Sequence, residues 1–150
     1  MSYREINVNL EWESNWLKQF DNNLENLMAN YPESFEYEDL IFGIRIVNDK
    51  NKLRALFATM DNTDPNSSRH YFEALRYHGD NNVGCIEWGW KMEHKTDFLG
   101  LPAVGKTTYV TGMTVHNFVE GKITLERSMW DTGCLMRQLG LKAPDPQFVI

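Results

Sequence analysis

The feature that most constrains this chain is the alternation across Val83–His94. Ile86, Trp88, Trp90, Met92 and His94 fall on even positions, and Glu87, Lys91 and Glu93 on odd ones. Side chains alternate across a strand, so this period of two specifies a strand with one buried face, the even one. Strand-like runs recur at Tyr71 to His78, Thr107 to Val119 and Lys122 to Trp130. Gly79-Asp80-Asn81-Asn82 and Glu120-Gly121 read as turns, and Lys95 to Lys106 as a loop containing Gly and Pro. Strands in that succession predict an antiparallel sheet.

The other half of the chain follows a different period. Trp16, Leu17, Phe20, Leu24, Leu27, Met28 and Tyr31 recur at helical spacing until Pro32, which predicts one amphipathic helix of about four turns. Leu40 to Val47 reads as a strand. Asn48 is placed to cap a second helix that buries Leu53, Leu56, Phe57 and Met60. Asp61 to Ser68 is a loop by composition. Asp131 is placed to cap a last short helix through Leu139, with Gly140 at its end and an extended tail at Ala143-Pro144-Asp145-Pro146. Two helices, a run of strands and a closing helix predict an α+β fold with helices on one face of the sheet. No repeat or linker divides residues 1–150, which read as a single domain.

Composition excludes several functions. The net charge is −6 and no basic stripe is present, so nucleic acid is not an expected partner. No segment has the roughly 20 apolar residues of a membrane span, and Met1-Ser2-Tyr3-Arg4-Glu5 opens no signal-peptide core; the expected location is the cytoplasm. Cys85 and Cys134 have no CxxC neighbour and read as small hydrophobes, with no metal site.

Folding the last hairpin about Glu120-Gly121 sets Thr114 opposite Arg127, Gly112 opposite Met129, Val110 opposite Asp131 and His116 opposite Leu125. Centring the 95–106 loop puts His94 beside Thr108 and Trp88 beside Thr114. One face then carries Trp88, Trp90, Met92, His94, Thr114, His116, Arg127, Met129 and Asp131. A mostly apolar face with a few convergent polar groups suits a small-molecule site, though the tryptophans and Met92 could equally pack beneath the helices. In this register His116 lies on the order of 20 Å from Asp131, whereas His94 is nearer, on the order of 10 Å between backbones.

Three segments resemble the SnoaL-like polyketide cyclase family. His94 to Lys106 is similar to its H-x-G-x-F-x-G-x-P-A-T-G-K pattern. Gly112-Met113-Thr114-Val115-His116-Asn117-Phe118 with Gly121-Lys122-Ile123 is similar to G-x-x-V-x-x-F…G-K-I. Trp130 to Gly140 is similar to W-D-x-x-x-L-x-R-Q-L-G. The resemblance implies a nuclear transport factor 2-like cone, a curved antiparallel sheet wrapped around a pocket and backed by helices, working without metal or organic cofactor. It also implies an aspartate, helped by a histidine, that moves a proton next to a carbonyl so that the enolate closes a ring by aldol attack. Apolar burial brings a carboxylic acid towards the working range of such a catalyst.

Asp131 and His94 fall in the matching motifs, so they are the candidate acid/base and its helper, with Arg127 holding an anionic oxygen. Trp88, Trp90, Met92, Thr114, His116 and Met129 are the candidate substrate-binding residues for a small apolar or polyketide-like ligand. Each has a plainer reading: Asp131 as a helix cap, His94 as a pin for the long loop, Arg127 in a structural ion pair. Three functions stay open: a cyclase or isomerase, a catalytically silent binding protein, and an epoxide or ester hydrolase in which Asp131 and Arg127 orient water. Tyr109, Met113 and Val115 on the odd face form an apolar patch that a homodimer would cover.

Overall fold

The computed structural model describes residues 6–142 of the protein; the readings at Met1–Glu5 and Ala143–Pro146 lie outside them. The chain runs α1 (Leu10–Lys18), α2 (Leu24–Met28), β1 (Glu36–Asp39), β2 (Ile44–Val47), α3 (Lys50–Ala58), β3 (Arg69–Gly79), β4 (Val83–Glu93), β5 (Thr107–Val119), β6 (Lys122–Trp130) and α4 (Thr132–Gln138). The six strands form one sheet in the order β2-β1-β6-β5-β4-β3. Only the β1–β6 pair is parallel. The fold class is α+β, a sheet backed by helices, as the period-two and helical patterns predict.

Two elements differ from expectation. The first helix breaks at Asp21-Asn22-Asn23, where Asn23 caps α2 by accepting from Asn26 N. Asn and Asp compete with the backbone for hydrogen bonds, which makes them poor helix interiors and good caps. The apolar stripe survives the break, with Trp16, Leu17, Phe20, Leu27, Met28 and Tyr31 all buried. The segment 40–47 is not one strand. It is the turn and second arm of a hairpin whose first arm is β1, with Gly43 in the left-handed region (φ 66°). Asn48 does not cap α3: Asp49 does, while Asn48 accepts from Phe35 N.

The turn at Glu120-Gly121 forms as read, both residues having positive φ, as a type I′ hairpin requires. The pairing beyond it does not. Phe118 faces Ile123, but Asn117 faces Leu125, so Thr124 is an extra residue on β6. This bulge moves every later β6 residue to the opposite face. His116 therefore faces Glu126, Thr114 faces Ser128 and Gly112 faces Trp130. Between β4 and β5 the observed register differs by two, with Trp88 beside Gly112 and Trp90 beside Val110, which keeps the faces unchanged. The inner face carries Ile86, Trp88, Trp90 and Met92, and α1 packs over β3 on that side.

Candidate functional site

The inner face of the sheet and the helices over it enclose a cavity of about 580 Å³. Its wall is chiefly aromatic. Trp88 and Trp90 enter from β4, Trp130 from β6, Phe72 from β3, and Trp16 and Phe20 from the α1 side. The rings are interlocked: Phe72 stacks on Trp90 with centroids 5.5 Å apart, and Trp90 meets Trp130 edge-on at 5.8 Å. The Trp88 indole lies across Gly112, where an added Cβ would come within 2.4 Å of the ring. Glycine at this position lets the indole lie flat on β5.

Polar groups interrupt this wall, among them Asp39, His70, Thr114, Ser128 and Glu126. Asp39, at the end of β1, is buried; its Oδ1 accepts from Ile41 N (2.8 Å) and Phe42 N (3.0 Å), and its Oδ2 from Trp130 Nε1 (3.4 Å). His70 on β3 is buried, and Trp90 Nε1 donates to its Nδ1 at 3.2 Å. A ring nitrogen that accepts carries no proton, so the neutral ring holds its proton on Nε2. Among the described residues Nε2 has no protein partner. Burial, with a smaller push from His94, lowers the His70 pKa to about 4, so the ring is neutral at ordinary pH. The Thr114 and Ser128 hydroxyls lie 2.8 Å apart, and Thr114 also accepts from Trp88 Nε1 at 2.8 Å.

Glu126 also lines the cavity. It is 3% exposed and accepts from the Tyr31 hydroxyl, which in turn accepts from Trp16 Nε1 at 3.3 Å. Behind it sits His116, fully buried, with Nδ1 2.9 Å from Glu13 and Nε2 3.7 Å from Glu126. Burial alone would lower the His116 pKa. Hydrogen bonds and charge from Glu126 and Glu13 outweigh it and raise the pKa to about 9.

The residues picked from the sequence separate into two groups. Trp88, Trp90, Met92 and Thr114 line the cavity. His116 lies behind its wall, in the Glu13–Glu126 pair. Met129 does not share the face of the tryptophans: it is 55% exposed on the outer side, because of the Thr124 bulge. The same bulge turns Arg127 outward, where its Nε meets Glu38 at 3.0 Å. Asp131 is exposed and caps α4, accepting from Cys134 N at 2.9 Å. His94 is buried outside the cavity lining; its Nε2 lies 2.9 Å from Thr108 Oγ1, and its backbone ties the 94–106 loop through Lys106 and Gly105. These five placements correct the grouping expected from the sequence, and they dissolve the Asp131–Arg127 pair.

Asp39, His70 and Glu126 stand outside the candidates that the sequence offers. His70 alternates with Phe72 and Ala74 along β3, a signal that starting the strand at Tyr71 conceals. Asp39 alternates with buried Tyr37, but Glu36-Tyr37-Glu38-Asp39 is too polar and short to stand out as a strand.

The curved sheet around an aromatic cavity defines a protein of the ketosteroid isomerase-like, nuclear transport factor 2-like fold. The family description "SnoaL-like polyketide cyclase" matches residues 50–139, more than half of the chain, and the chain belongs to that family. No curated protein matches it. Among solved structures it is similar to a "putative polyketide cyclase" from Xanthomonas campestris pv. campestris (TM-score 0.69, 18% identity, 83% of this chain and 90% of that one). It is also similar to a protein of ketosteroid isomerase-like fold from Catenulispora acidiphila, solved with trimethylamine (0.66, 16%, 85% and 90%). A third is an M. tuberculosis LEH-like epoxide hydrolase (0.62, 17%, 85% and 84%). At such identities the likeness is one of fold, and one fold hosts several chemistries.

Proposed function

We propose that the protein is a cofactor-independent cyclase or isomerase that moves a proton on a carbon next to a carbonyl. The observation that carries this reading is that a buried carboxylate, Asp39, and a free imidazole N–H, His70 Nε2, front the same apolar cavity. Asp39 takes the proton from the α-carbon. The electron pair of that C–H bond becomes the enolate, whose oxygen accepts from His70 Nε2–H. A neutral donor fixed by Trp90 needs no reorganisation as that charge develops. In a cyclisation the enolate carbon attacks a second carbonyl of the same molecule, and the new alkoxide recovers the proton from Asp39. In an isomerisation the proton returns to another carbon. Membership of the SnoaL-like family and the aromatic lining support a small-molecule substrate with an apolar body.

The test is deuterium exchange. A ketone that binds the cavity is incubated in heavy water, and loss of its α-proton signal is followed by NMR. Exchange above the buffer rate that vanishes in Asp39→Asn supports the reading. A ketone that binds and does not exchange overturns it.

A further inference from the structure

We propose that the ligand is an organic cation, an amine or quaternary ammonium on an apolar body, whose charge is held by Glu126 and Asp39 within the tryptophan wall. This rests on the small-molecule reading of the cavity and names the substrate class.

No Lys or Arg is among the described residues that line the cavity, whereas Asp39 and Glu126 are both buried in its wall. His70 is the one histidine in the wall, and it is neutral. His116 behind the wall is shared between two carboxylates, Glu13 and Glu126, and cannot offset both. An anionic ligand would meet only like charge here.

Glu126 is almost wholly buried, and Tyr31 donates to its Oε2. Among the described residues nothing donates to its Oε1, and the side chain fronts the cavity. A buried carboxylate normally has its oxygens satisfied by partners. Oε1 is open to the cavity, where an amine N–H could donate to it and a quaternary nitrogen could pair with it by charge alone.

Four of the five tryptophans, Trp16, Trp88, Trp90 and Trp130, line one cavity together with the buried Asp39 and Glu126 and the exposed Asp97. Tryptophan attracts a cation more strongly than the other aromatic side chains, and the attraction grows when the cation is desolvated. A neutral apolar ligand would use the rings but leave the charge of Asp39 and Glu126 without a counter-ion in the cavity.

The experiment compares two methyl ketones of the same shape. One carries a trimethylammonio group at the end of a propyl chain; in the other a tert-butyl carbon replaces the nitrogen. Binding is read by tryptophan fluorescence and calorimetry on the whole chain. The cation is expected to bind at least about ten-fold tighter, a difference of about 1.4 kcal/mol. Glu126→Gln is expected to remove most of that preference while changing the neutral ketone's affinity less than about three-fold. Should this buried variant fail to fold, Asp39→Asn gives the same comparison. Equal affinities, or tighter binding of the neutral ketone, overturn the cation assignment; deuterium exchange into the neutral ketone would then leave the proton-transfer reading standing. Tight binding of the cation without exchange overturns the proton-transfer reading alone.

Discussion

Trp90 donates its indole N–H to Nδ1 of His70, and this one bond fixes which nitrogen of His70 is left to act on a ligand. His70 is therefore expected to hold its proton on Nε2 and to stay neutral down to about pH 4. Nitrogen NMR of labelled protein should show an Nε2–H tautomer from about pH 5 upward. Trp90→Phe should mix the tautomers while leaving the fold intact. A His70 ring that titrates near pH 6.5 would contradict the assignment.

Asp39 and Asp131 separate the catalytic from the capping role. Asp39→Asn keeps shape but removes the base, so α-proton exchange should fall about 100- to 10,000-fold. Asp131→Asn should leave exchange unchanged and cost at most about 1 kcal/mol of stability, since Asn also caps. Exchange rates and urea unfolding of both variants decide between them.

Two buried histidines set the pH range of stability. His116 has a folded pKa of about 9 against 6.5 unfolded, so the stabilisation from its protonated form is complete below about pH 6.5 and is lost as pH rises through 9. His70 has a folded pKa of about 4, so stability falls as pH drops below 6.5, where the unfolded chain takes up a proton that the folded one refuses. Each contribution is on the order of 3 kcal/mol. Unfolding free energies measured at pH 5, 6.5 and 9 should peak near the middle value. Glu13→Gln should flatten the alkaline limb only.

The outer face of the sheet exposes Tyr71, Leu75, Tyr109, Met113, Val115 and Met129. Such a patch is more apolar than a lone subunit ordinarily shows, and a two-fold partner is the expected cover. Light scattering at micromolar concentration should give twice the chain mass, and Met113→Glu should shift it towards the monomer. A monomer mass for the native chain would contradict this.

Thr124 explains most of what the sequence hid about the site. Counting back from Glu120-Gly121 puts Arg127 and Met129 inside and Glu126 outside; one extra residue reverses all three. Deleting Thr124 should remove the bulge while Glu126, Ser128 and Trp130 keep their β5 partners and their inward face, so the variant should still fold, as read by circular dichroism.

The α+β class, the limits of β5 and β6, the buried even face of β4 and the aromatic character of the cavity were all legible from the chain alone. Each rests on a local period, and a period of two or 3.6 is written residue by residue. Which polar groups enter the cavity was decided only by the tertiary structure. A bulge has no hydrophobic signature of its own, because it changes the count and not the composition. Asp39 and His70 lie on strands separated by β6, β5 and β4 in the sheet. Only the curvature of the whole sheet brings them to one cavity, and no local pattern records that curvature.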